Sequence, residues 1–469
     1  MYKTLSITSV IMILSFSGYI TEDARSKVSI SIEINFPENN LEEEIVTEEI
    51  LNVEIQDTEQ FLKSEQNVSN KPIMPAVPRS TNEQEIIDTY INKYKSPIEL
   101  LISHDKSFGT LKEMRLLFRN YFIVLADEEK IEIAKLLQKK QKLFWQHDKY
   151  TESGGRIRGL YLNGYLYGDD SFKENIHSFI NSTIINTVVL DVKSDNGHIL
   201  FETRVEEAVN INAIRKKYDK EDLSYYKENN IYLIGRVVAF QDPLYVKNHV
   251  DSAVWDTRTN QPYRQGKQYF LDPSDKQARQ YVLDIAVDAC LLGFNEIQFD
   301  YIRYPDTNYK YMKFDLESTI ENRVETINSF LLQAQEMLHS EGCLISADIF
   351  GYVLTNKLDG GIGQNLESII GSVDFVSPMV YPSHYSRGSF GFTSPNDHPY
   401  EVVSSALDDG LERIESRYPV RPYLQGFWHT EEEILEGIRA AEDKNLSWIL
   451  WNSLSRYNID SFKVGENEQ

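Results

Sequence analysis

From Arg158 onward the chain alternates β-rich apolar runs with stretches of helical periodicity, and that alternation admits few folds. The runs that read as strands are Gly159–Tyr165, Thr187–Val192, Tyr232–Phe240, Glu296–Ile302, Leu344–Phe350, Phe375–Tyr381, Arg421–Phe427 and Ser447–Asn452. Amphipathic segments fall between them, among them Ser171–Asn181, Ser274–Leu292, Ile320–His339, Tyr400–Ser416 and Thr430–Asp443. Strands that alternate with helices pair in parallel, because each crossover returns the chain to the same end of the sheet. Eight such units in about 300 residues fit a closed barrel, whose usual size is ~250 residues before insertions. A doubly wound open sheet would need fewer strands and usually a glycine-rich phosphate loop after the first, and Gly159 to Gly168 is not one. The expected fold class is therefore α/β, a (β/α)8 TIM barrel over residues 156–464.

The residues before the barrel read differently. Lys3 precedes an apolar run from Leu5 to Ile20 that holds the small residues Ser17 and Gly18 near its end, the layout of a signal peptide or N-terminal anchor over residues 1–20. The run is short and serine-rich for a spanning helix. Residues 21–82 form an acidic flexible spacer: between Glu22 and Asn70 there are 13 Asp or Glu against 3 Lys or Arg, and Pro72, Pro75 and Pro78 follow. Residues 83–150 show helical spacing at Ile86, Ile87, Tyr90 and Ile91 and again at Ile131, Ile133, Leu136 and Leu137, which predicts a small helical region. These segments imply a secreted or extracytoplasmic protein, with a membrane tether if the first segment is kept.

A net charge of −24 argues against a nucleic-acid partner, since phosphate binding needs clustered Lys and Arg. The two cysteines, Cys290 and Cys343, fall in segments that read as buried and are expected as separate core residues. No zinc-type Cys/His spacing occurs, so neither a metal nor another cofactor is expected.

A TIM barrel carries its site at the C-terminal ends of its strands, so those ends can be searched for chemistry. Strand four reads Glu296-Ile297-Gln298-Phe299-Asp300, and alternation puts Glu296, Gln298 and Asp300 on one face. A strand buried on both sides avoids charge unless the charge points into the lumen or has a partner. Asp300 is thus the mouth residue of a polar row. On strand five the same rule groups Ser346 with Asp348. Neighbouring strands lie ~4.8 Å apart, which brings the two carboxyl groups to about 5 Å or somewhat more. Glycosidic-bond cleavage needs such a pair, one carboxyl donating a proton and the other attacking or stabilising the anomeric carbon. Asp300 and Asp348 are the expected catalytic residues. Aromatic faces and polar groups at other strand ends suit a sugar: Tyr161, Asn163, Asp191, Arg236, Gln298, Arg303, Tyr381, His384, Gln425, Trp428, Trp451 and Asn452 are the candidate binding residues. Asp272, beside Pro273 at a helix start, reads as a cap.

The phrases Phe299-Asp300-Tyr301-Ile302-Arg303-Tyr304-Pro305 and Ser377-Pro378-Met379-Val380-Tyr381-Pro382-Ser383-His384-Tyr385, with Gly159–Asp195, Gly235–Pro243, Ser346–Gly351 and Trp448–Asn452, resemble a bacterial family of glycosyl hydrolases catalogued as a domain of unknown function. The resemblance covers the barrel and none of the N-terminal third. It implies a glycosidase-like TIM barrel acting on a carbohydrate polymer. Asp300 matches by position the nucleophilic Asp after strand four of the wider barrel-glycosidase group. Strand six carries no carboxylate at its end, which leaves Asp348 as the acid.

Two other functions fit the same sequence. A non-catalytic barrel could bind wall or exopolysaccharide, and clustered Asp and His could serve a metal-dependent esterase, although no HxxxH-type pair is present.

Overall fold

A computed structural model describes residues 156–414 and 419–458, Phe462, and the paired backbone of Ile11–Leu14 and Ile32–Asn35. The leader, spacer and helical region expected over residues 1–150 otherwise lie outside the described residues.

Eight parallel strands close into a barrel in chain order: β1 Arg158–Leu162, β2 Thr187–Lys193, β3 Tyr232–Val238, β4 Glu296–Asp300, β5 Leu344–Phe350, β6 Phe375–Val380, β7 Tyr423–Gln425 and β8 Trp448–Trp451, which returns to β1. Seven strands are followed by helices: α1 Asp170–Asn181, α2 Lys220–Glu228, α3 Lys276–Leu292, α4 Ile320–Glu341, α5 Leu366–Ile370, α6 Pro399–Leu411 and α7 Glu431–Glu442. The strands are shorter than their apolar runs where a side chain claims the backbone. Asn163 Oδ1 accepts from the Tyr165 and Leu166 amides and turns the chain just beyond β1. Pro422, which has no N–H to give a ladder, stands immediately before β7. Caps set the helix ends: Asp275 accepts from the Ala278 amide at the start of α3, and a Thr430–Glu433 capping box opens α7. Asp272 does not cap α3. Its carboxylate takes the Ser274 amide and hydroxyl on one oxygen and the Asp315 amide on the other, tying the loops after β3 and β4 together.

The apolar core has two parts. The larger lies between the strands and the helices, where Val188, Leu190, Val237, Ile297, Phe299, Ile345 and Ile349 meet helix residues such as Leu283, Phe330 and Leu338. The smaller is inside the barrel and comprises Tyr161, Val189, Tyr232, Ile234, Leu344, Phe375, Tyr381, Tyr423 and Ile449 with Ile157. Insertions after β3 and β4 meet at the C-terminal end in a small sheet, Met312–Lys313 against Trp255–Asp256 against Gln261–Pro262. They raise a wall on that side of the mouth.

The cysteines are not separate core residues. Cys290 near the end of α3 and Cys343 before β5 form a disulfide with Cα atoms 6.0 Å apart. Their burial hid the pairing, since a buried half-cystine and a buried free thiol look alike in sequence. The bond closes a loop with a sequence separation of 53 residues, and constraining a loop of that size in the unfolded chain is worth about 4 kcal/mol. Replacing both cysteines with serine should therefore lower the barrel's melting temperature by several degrees, and a reductant should reproduce that shift in the native chain but not in the variant; calorimetry with and without reductant reads this directly.

Candidate active site

The polar row expected on β4 does face the lumen, and each member has a separate set of partners. At the N-terminal end Glu296 pairs with Arg421 at 2.5 Å and accepts from the Tyr232 hydroxyl at 2.9 Å. In the middle Gln298 donates to Ser377 Oγ at 3.0 Å and accepts from the Tyr423 hydroxyl at 2.6 Å. At the C-terminal end Asp300 Oδ2 receives Arg236 Nη2 at 2.6 Å and Nε at 3.0 Å. Its other oxygen accepts from the Tyr301 amide at 2.6 Å. Tyr301 reaches that geometry with φ 53°, a left-handed conformation that costs a non-glycine residue of order 1 kcal/mol or more.

Arg236 stands on β3 beside Asp191 of β2 in register, and its Nη1 donates to Asp191 Oδ1 at 2.7 Å. Asp191 Oδ2 in turn accepts from the Tyr161 hydroxyl at 2.6 Å and from the Gly164 amide at 3.3 Å. A side chain at Gly164 would press its Cβ to 2.9 Å from the Asp191 carbonyl oxygen, so glycine is what allows that approach. Burial works against the Arg236 charge, but Asp300 and Asp191 outweigh it and hold the guanidinium above its ordinary pKa. Burial likewise raises the Asp191 carboxyl, with Arg236 and the Tyr161 hydroxyl pulling it back. The Tyr161 ring stacks on Trp451 at 3.8 Å, and the Arg236 guanidinium lies 5.0 Å from the Trp451 ring. Tyr161, Asp191, Arg236 and Asp300 are thus one buried chain of hydrogen bonds across four strands.

Asp348 is placed otherwise. The β4–β5 register runs to Phe299 opposite Ala347, so one further step sets Asp300 beside Asp348. Asp348 is 1% exposed, and its Oδ1 has no hydrogen-bond partner. Burial, and next the neighbouring Asp300 charge, push its carboxyl well above the usual range, and Arg236 only partly offsets this. Tyr381 and Tyr423 feel both carboxylates, which places their rings around the pair. Two carboxyl groups with unlike surroundings sit side by side: one meets a guanidinium, the other favours its neutral acid form.

Several other candidate residues spend their polar groups on the protein. Gln298 is fully buried. Gln425 accepts from the amide and hydroxyl of Ser383 and donates to Asn396 and the Phe427 carbonyl. Asn452 donates to the Gly426 carbonyl, and Asn163 to that of Ser453. These side chains brace the loops at the rim. Tyr381 is buried with its ring edge-on to His384 and Phe427, and His384 is exposed beside it. Trp428, with φ 56°, is 81% exposed. It borders a cavity of about 380 Å³ lined also by His429, Asn452, Arg456 and Tyr457. Arg303, buried after β4, does not bind Asp300. Sequence reasoning passed over Ser377 and Tyr423. The signal was present, since alternation on β6 and β7 puts both on the inner face. Among the described residues no group of three His, Cys, Asp or Glu side chains gathers at metal-binding spacing.

Residues 159–457 match the model of a family described as "Putative glycosyl hydrolase domain". No curated protein matches the chain. Among solved structures, a hypothetical protein from Ruminiclostridium thermocellum ATCC 27405 is 36% identical over 40% of this chain and 96% of its own, with a TM-score of 0.37. The PgaB (BpsB) glycoside hydrolase domain from Bordetella bronchiseptica is 14% identical over 64% of this chain and 94% of its own, with a TM-score of 0.50. The glycoside hydrolase domain of PelA from Pseudomonas aeruginosa is 10% identical over 64% and 96%, with a TM-score of 0.40. The Bordetella likeness bears on the fold alone. The family match runs from β1 to the turn beyond β8, the whole barrel that carries the carboxylate pair; this chain belongs to that glycosyl hydrolase family and is a glycoside hydrolase.

Proposed function

We propose that the enzyme cleaves a glycosidic bond in a cell-surface or environmental polysaccharide, with Asp300 and Asp348 as its two working carboxyl groups. The observation that carries this reading is their unlike surroundings at adjacent strand positions: Arg236 bonds Asp300 through two nitrogens, while Asp348 is buried beside it without a partner for Oδ1. Glycoside hydrolysis asks for one carboxylate to meet the positive charge that develops at the anomeric carbon and one carboxylic acid to protonate the departing oxygen. Asp300 takes the first role and Asp348 the second. Asp191, bonded to both Arg236 and Tyr161, keeps the guanidinium turned toward Asp300 and acts as a positioning residue. The exposed Trp428 ring offers a face on which a sugar of the polymer can stack some way from the pair.

An extracytoplasmic location suits this activity. The Cys290–Cys343 disulfide supports it, because such bonds persist in oxidising compartments, and the leader and acidic spacer expected at the N-terminus would hold the barrel away from a membrane.

Asp300→Asn should reduce kcat on a hydrolysed glycan by at least about a thousandfold, with the fold intact by circular dichroism; turnover equal to wild type would remove Asp300 from the reaction. For Asp348 the folded-state pKa is raised. Its acid form must be present to donate, so kcat should fall as pH climbs through that raised value. The same shift acts on stability. The native state favours the protonated carboxyl, so its contribution is full below the unfolded value of about 3.9 and drains away as pH rises to the folded value. Asp348→Asn cannot ionise, so its melting temperature should gain on wild type as pH increases, while its activity is lost. Trp428→Ala should raise KM on a polymer about five- to tenfold, the loss of one stacking contact, which a comparison of initial rates would show.

A further inference from the structure

Three residues beyond Asp300 the chain buries a second arginine at the mouth, and no carboxylate meets it. Arg303 is 7% exposed, and among the described residues none of its nitrogens lies within ion-pairing distance of Asp or Glu. Its Nη1 donates to the Tyr304 carbonyl at 3.1 Å. Its Nε has no hydrogen-bond partner, and Nη2 makes no hydrogen bond to a described residue. The guanidinium is instead ringed by aromatic faces, at 4.7 Å from Phe350, 5.2 Å from Tyr301 and 5.4 Å from Phe270. Cation–π contact recovers only part of what a buried charge loses on leaving water. Arg236 and Arg421, the other buried arginines of the barrel interior, each have a carboxylate. Arg303 is the exception.

Its position gives the exception meaning. Tyr301 follows Asp300 directly, and Phe350 lies two residues beyond Asp348 on β5, hence on the same face. Two of the three aromatic walls of the cage are therefore extensions of the strands that carry the carboxylate pair, and the third, Phe270, comes from the insertion after β3. Tyr301 and Phe350 are only half-buried, whereas Phe270 is buried and Arg303 Nε itself is closed to solvent. The free Nε–Nη2 edge of a guanidinium is a planar two-donor fork, the geometry that takes a carboxylate through parallel hydrogen bonds.

We propose that Arg303 is a carboxylate-recognition site beside Asp300 and Asp348, and that the glycan cleaved is acidic, with a uronate-type carboxylate on a sugar next to the cleaved bond. The inference rests on the glycosidase reading of the pair, and it specifies the substrate class. The carboxylate supplies the counter-charge that the fold withholds from Arg303, and the aromatic cage keeps that exchange out of bulk water, where it would be weak.

The full-length chain can be titrated by NMR with glucuronate, galacturonate, glucose and galactose. The uronates should bind at least tenfold more tightly than the neutral sugars, and added salt should narrow the gap. Arg303→Gln should bring the uronates down to the neutral-sugar level. Arg303→Lys, which keeps the charge and lacks the fork, should recover part of the preference, and melting curves identify a variant that has failed to fold. Equal binding of acidic and neutral sugars by the native chain, no binding of either, or a uronate preference that survives Arg303→Gln would each overturn the assignment. Failure of the glycosidase reading looks different: the uronate preference would persist and depend on Arg303, while Asp300→Asn would turn over glycan as wild type does.

Discussion

One guanidinium, that of Arg236, sets the upper part of the barrel. It is almost wholly buried and touches carboxylates on both neighbouring strands, Asp191 on β2 and Asp300 on β4. A lone charge in that place would cost several kcal/mol, and so would either carboxylate without it. The three must be present together. Their joint requirement fixes the register of β2, β3 and β4, turns Asp300 toward β3, and leaves Asp348 on the far side with no cation of its own. The difference between the two catalytic candidates follows from a single arginine that is taken up by Asp191 on one side and Asp300 on the other, with nothing to spare for Asp348.

The lumen departs in part from the usual filling of such barrels, where bulky branched residues form the layers. Here a column of polar contacts runs its length: Glu296 with Arg421, Gln298 with Tyr423 and Ser377, then Asp300 with Arg236. Buried hydrogen bonds and ion pairs of this kind add little net stability, though breaking one is costly. The larger apolar cluster outside the strands carries the hydrophobic stabilisation. The outer face of the sheet therefore carries most of the apolar packing, and the inner face, beside its smaller apolar cluster, holds the charges in place.

Much of this was legible from alternation alone. Eight apolar runs separated by helical periodicity give eight strands in chain order, and parity on β4 puts Glu296, Gln298 and Asp300 on the inner face. What parity cannot supply is the identity of the partner across the lumen. Gln298 and Gln425 have the residue type that sugars need, yet Tyr423 and Ser383 use them. Parity also fails where a strand is irregular. The β2–β3 register shifts between Asp191 and Lys193, and Lys193, two residues from Asp191, pairs with Asp242 at 2.9 Å in full burial. The disulfide was hidden for another reason: two cysteines 53 residues apart say nothing about distance until the helix and strand between them are placed. Arg303, three residues from Asp300, does not pair with it, because β4 ends at Asp300 and Tyr301 takes a left-handed turn, so the chain after it leaves the strand direction.

That disulfide encloses a particular stretch of chain. Between Cys290 and Cys343 lie β4, the loop that carries Arg303, the strand of the small outer sheet at Met312–Lys313, and the whole of α4. The ring contains Asp300 and closes five residues before Asp348. A peptide bond cut anywhere in the exposed part of that loop would open the ring without freeing a fragment, because the two pieces stay joined through sulfur. The loop beside Asp300 is thus one where a nick is least able to take the molecule apart.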